Sequence, residues 1–110
     1  MSGDPRLSEL TAKVATVSDI YAARCDIRRD EDWYLLKLQE ELGELTAEAL
    51  RASGRARRRD ESAEDQWLAL EDEAADLFAQ LLLFCRHHDI DIAQALERKW
   101  FKYLPKTPQI

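Results

Sequence analysis

Glycine and proline are scarce in this chain, with three of each in 110 residues. Most lie near the ends, so Asp4-Pro5, Pro105 and Pro108 punctuate the chain and do not mark turns between strands. Valine and isoleucine are sparse, whereas leucine, alanine, glutamate and arginine dominate, a composition that favours helix. No apolar run approaches the roughly 20 residues of a membrane span. The start, Met-Ser-Gly-Asp-Pro-Arg, lacks the apolar stretch of a signal peptide. A cytoplasmic protein without membrane contact is therefore expected. Cys25 and Cys85 are the only cysteines, too few for a disulfide framework, and both read as buried, reduced hydrophobes. Positive charge is in deficit: the net charge is −6, which excludes nucleic-acid binding by bulk electrostatics. A small anion can still bind where a metal supplies the positive charge. The apolar share of 45% excludes a disordered chain.

What remains is helical periodicity. Leu10, Val14, Val17 and Tyr21 form an amphipathic stripe on a first helix, at about 7–25. Asp30 is placed to cap a second helix whose stripe is Leu35, Leu38, Leu42, Leu45 and Ala49, with Gly54 as its stop. A basic loop follows, with Arg55, Arg57, Arg58 and Arg59. It reads as a solvated loop or as an arm that touches a phosphate or an acidic partner. Ser62, followed by Asp65, opens a third helix at about 63–88 with a stripe of Trp67, Leu70, Ala74, Leu77, Leu81 and Phe84. From Leu77 to Cys85 that helix is apolar nearly all round, which calls for burial by a second subunit. Asp91 is placed to cap a fourth helix at about 92–103, ended by Leu104-Pro105. The expected fold is all-α: one four-helix bundle-like domain over 1–110, with loose ends at 1–6 and 106–110.

Two acidic stretches repeat one device. Leu38-Gln39-Glu40-Glu41-Leu42-Gly43-Glu44-Leu45 aligns without a gap on Leu70-Glu71-Asp72-Glu73-Ala74-Ala75-Asp76-Leu77. Residues three apart share a helix face. Glu41 and Glu44 converge on one point, as do Glu73 and Asp76. On an ideal helix Glu41 lies about 70° and Glu44 about 130° from the centre of the leucine stripe, and Glu73 and Asp76 lie at about the same offsets on theirs. Four such carboxylates repel unless a cation intervenes. An oxygen-only cage suits Mg²⁺, with Mn²⁺ as a substitute.

In this pairing the chain resembles the MazG-like nucleoside triphosphate pyrophosphohydrolases. Glu40-Glu41-Leu42-Gly43-Glu44 matches their EExxE motif and Glu73-Ala74-Ala75-Asp76 their ExxD. The gap between the motifs, His88-Asp89-Ile90-Asp91 after the apolar helix, and Ala95-Leu96-Glu97-Arg98-Lys99 before a basic aromatic end are also similar. Many relatives carry an asparagine in the last helix; this chain has none anywhere. The resemblance implies a MazG-type fold, a homodimer or homotetramer, and Mg²⁺-dependent cleavage of a nucleoside triphosphate to monophosphate and pyrophosphate. Such an activity fits house-cleaning of the nucleotide pool. The metal ligands it implies are Glu41, Glu44, Glu73 and Asp76.

Within that reading Glu40 and Glu41 are the catalytic candidates. Glu40 or Asp72, each beside a ligand, could orient the attacking water. Lys99, Lys102 and Lys37 are candidates for the triphosphate, and Trp33 for stacking on the base. Trp67 falls on the apolar stripe and is assigned to packing. His87 and His88 sit at a helix end, where they complement its dipole. Two alternatives stay open: a helical adaptor whose acidic edge binds a basic partner, and a hydrolase of another pyrophosphate bond, such as that of phosphoribosyl-ATP.

Overall fold

A computed structural model describes residues 5–57 and 60–106. Helix α1 is Pro5–Cys25, α2 is Glu31–Ala52, α3 is Ala63–His87 and α4 is Ile92–Lys99. A single 3-10 turn, Phe101–Tyr103, follows. Among the described residues there is no strand, and no helix is long and apolar enough to cross a membrane.

Short polar side chains set the helix starts. The carboxylate of Asp30 accepts from the Trp33 N–H at 2.8 Å, the Ser62 hydroxyl from Asp65 N–H at 3.1 Å, and Asp91 from Gln94 N–H at 3.0 Å. Each satisfies a donor that the first helical turn leaves unpaired. The stops share one geometry. Asp26, Gly54 and Asp89 take positive φ, at 51°, 77° and 56°. The next N–H then reaches back five residues: Ile27 to Ala22, Arg55 to Leu50 and Ile90 to Cys85. These are Schellman stops. After α1, Arg29 folds back to bond Ser18 at 2.8 Å and Asp19 at 2.9 Å.

Helices α2 and α3 form an antiparallel hairpin with the most extensive contact in the chain, and α1 packs on α3. Ala15, Tyr34 and Leu83, one from each of these helices, make the core, with Val14, Trp33 and Phe84 packed against it. Helix α4 packs with the 3-10 turn and makes no extensive contact with the other helices.

The apolar stripes face this core only in part: Val14 and Phe84 pack on it, and Leu38, Leu45, Leu70 and Leu77 are half-buried. Leu35 and Leu42 are each 53% exposed, and Leu10, Val17 and Tyr21 point outward. Tyr34, Glu41 and Glu48 occupy the buried face of α2 instead. Trp67, expected to pack, is 58% exposed. Cys85 is buried, but Cys25 is exposed at the end of α1. The fourth helix stops at Lys99, short of 103, and α1 is already helical at Pro5 and Arg6. Arg55 and Arg57 are exposed, while Arg58, Arg59 and the outermost ends, 1–4 and 107–110, lie outside the described residues.

The chain is open. Its radius of gyration is 17.5 Å, against about 13 Å for a compact domain of this length. Phe78 and Leu81, in the apolar segment of α3, remain exposed.

Candidate metal centre

The hairpin seam follows a heptad spacing. Tyr34, Glu41 and Glu48 recur every seven residues on α2, and Gln66, Glu73 and Gln80 every seven on α3. In an antiparallel register that sets Glu41 opposite Glu73, the next step sets Glu48 opposite Gln66, while Tyr34 packs with Leu83 and stacks on His87. Two successive layers of the seam are thus polar, in a place where apolar residues are usual.

Glu41, Glu73 and Asp76 each bring a carboxylate oxygen within 4.8 Å of the others. Glu41 is buried, Glu73 half-buried and Asp76 exposed, so the group grades from the seam to solvent. Asp76 lies one turn beyond Glu73 on the same face of α3. Glu44 lies one turn beyond Glu41, is exposed, and stands outside the trio, though its charge acts on Glu41.

The electrostatics follow from burial and crowding. The Glu41 carboxyl is pushed up to about 7, first by burial, then by the neighbouring Glu44 carboxyl and the charge of Asp76. Glu73 is raised by burial, then by Glu44, Asp76, Glu48 and Asp72. Asp76 is raised by burial, then by Glu44 and Asp72. Lys37 opposes the rise at Glu41 and Asp76. One Oε2 of Glu41 and one of Glu73 are buried without a hydrogen-bond partner. Hard oxygen donors, crowded by like charge and left without donors of their own, fit a hard divalent cation.

The other sequence candidates are dispersed. The Lys37 ammonium donates to Glu40 and lies 4.0 Å from Glu41, which places it at the centre. Its bond to Glu40 raises its own pKa. Glu40 is exposed and held by Lys37, outside the carboxylate trio. Trp33 packs edge-on against Tyr34 at 5.0 Å, about 12 Å along α2 from Glu41. Lys99 and Lys102 stand on the C-terminal arm, which does not pack extensively on α2 or α3, and neither makes an ion pair among the described residues. His87 stacks on Tyr34 at 4.4 Å and His88 tilts on Phe84 at 4.5 Å.

Two residues beside the centre were not read from sequence. Glu48 and Arg51 form an ion pair whose side chains are largely buried. Glu48 adds to the negative field at Glu73, and Arg51 is raised first by its bond to Glu48. The seven-residue step from Glu41 to Glu48 is the signal that finds it.

Compared with known proteins, the chain matches no family model, no curated protein and no solved structure.

Proposed function

We propose that this chain is a nucleotide pyrophosphohydrolase of MazG-like type, a homo-oligomer that cleaves a nucleoside triphosphate to monophosphate and pyrophosphate with Mg²⁺. The observation that carries the reading is the convergence of Glu41, Glu73 and Asp76 oxygens from two helices, graded from buried to exposed. The two motifs that suggested the family, EExxE and ExxD, supply these three residues. Glu41, Glu73 and Asp76 would hold the cation, with Glu44, one turn beyond Glu41, as a fourth ligand candidate. When bound, the cation supplies charge neutralisation at the phosphates and acidifies a water.

The residues of the chain have defined tasks around it. Glu41 must lose its proton to bind, so occupancy couples to proton release. Lys37 is the one ammonium within ion-pair range of the trio among the described residues, and it is suited to a phosphate oxygen. Glu40 keeps Lys37 charged and oriented. The exposed side of Asp76 leaves the centre open to solvent, where a triphosphate can reach it.

Incubating the protein with Mg²⁺ and a panel of normal and modified nucleoside triphosphates, with phosphoribosyl-ATP alongside, tests the reading. Pyrophosphate release from a nucleoside triphosphate is expected. Release from none of them, in protein of full helix content, removes it.

A further inference from the structure

The outer face of the first half of α3 is uncovered. An open groove there is lined by Ala63, Glu64, Trp67, Leu68 and Glu71. Trp67 is 58% and Leu68 54% exposed, between acids at either end. The face turns away from the carboxylate centre, because Glu71 points about 200° from Glu73 around the helix.

The arm that ends the described chain carries the complementary pattern. Lys99 and Lys102, three apart where α4 passes into the 3-10 turn, share one side of the arm, with exposed Trp100 and Phe101 fanning to its flanks. Beyond Glu97 the chain holds only cations, with no acid. Trp100 is 66% exposed, and the arm packs on nothing extensive in its own chain. The chain exposes 8948 Å², where a folded monomer of its mass is expected to expose about 6,200 Å².

From this we infer that the basic arm of one chain docks on the acidic-rimmed α3 groove of a second copy, Lys99 and Lys102 meeting Glu64 and Glu71 while the aromatics at the arm's flanks close over Trp67 and Leu68. The exchange is reciprocal, as a two-fold dimer requires. It goes beyond a hydrolase assembling in some form, since it fixes which surfaces meet.

Charge reversal on the full chain tests the docking without nucleotide or metal, so its outcome is independent of the hydrolase reading. Sedimentation is followed for the wild type, for Lys99→Glu with Lys102→Glu, and for Glu64→Lys with Glu71→Lys. All four positions are exposed, and circular dichroism checks helix content. The wild type is expected to dimerise, each double variant to dissociate at least tenfold more readily, and their equimolar mixture to re-form a dimer of one chain each. As a second readout in a Cys25→Ser background, Leu68→Cys and Phe101→Cys chains are expected to cross-link to each other on oxidation. A monomeric wild type, an association indifferent to both reversals, a mixture that does not recombine, or cross-links only between like chains overturns the docking.

Discussion

Glu41 on α2 and Glu73 on α3 face each other across the hairpin seam, their carboxylate oxygens within 4.8 Å. Both are raised above their ordinary values, Glu41 to about 7. A carboxyl whose folded pKa exceeds its unfolded one stabilises the fold below the unfolded value, here 4.5, and that stability is lost as pH rises through the folded value. Without metal the melting temperature is therefore expected to fall between about pH 5 and pH 8. Mg²⁺ at pH 8 is expected to restore it, because a ligand that binds only the folded state stabilises it. Melts in chelator and in Mg²⁺ check both; a flat profile with no Mg²⁺ effect is the opposite result.

Replacing Glu41 by Gln separates repulsion from binding. The amide keeps the size of the side chain and removes its charge. Glu41→Gln is expected to melt higher than the wild type at pH 8 in chelator, to show no rise with Mg²⁺, and to lose pyrophosphate release by more than ~100-fold, since several kcal/mol of transition-state stabilisation are removed. Unchanged turnover would leave Glu41 without a role.

The Glu48–Arg51 pair is a separate test. Arg51→Met leaves a largely buried carboxylate without its cation and is expected to lower the melting temperature. The double change Glu48→Gln with Arg51→Met is expected to cost less than Arg51→Met alone, because no buried charge is stranded. Equal losses would show that the pair is not coupled.

The two cysteines differ in reach. Cys25 is exposed, whereas Cys85 is buried and burial pushes its thiol up. A thiol reagent is expected to titrate one cysteine per folded chain and two in denaturant. Two fast thiols in the folded protein would contradict the packing around Cys85.

Much of the fold was legible. Asp30, Ser62 and Asp91 announce the helix starts by local hydrogen bonding, which needs no tertiary knowledge. The paired acid motifs announce the centre because residues three apart share a face. The phase of the helices was misread. Leu35 and Leu42 outscore Tyr34, Glu41 and Glu48 on any apolar pattern, yet the second set lines the seam. A buried glutamate looks like surface in sequence, so a seam built of polar layers hides from periodicity. The leucine rows are only partly covered: Leu35 and Leu42 face solvent, while Leu38 and Leu45 are half-buried. Trp67 was misplaced for the same reason, and Cys25 because a helix end offers nothing to cover it. The fourth helix is where the sequence places it but ends at Lys99 and not at 103, because the chain tightens into a 3-10 turn at Phe101–Tyr103.

Calorimetric titration of Mg²⁺ or Mn²⁺ into the metal-free protein near pH 7 tests the central claim most directly. The account predicts saturable binding accompanied by proton release, seen as a heat that changes with the ionisation enthalpy of the buffer, and loss of that binding in Glu73→Gln. Absence of saturable binding in the wild type, or binding of equal strength in Glu73→Gln, would contradict it.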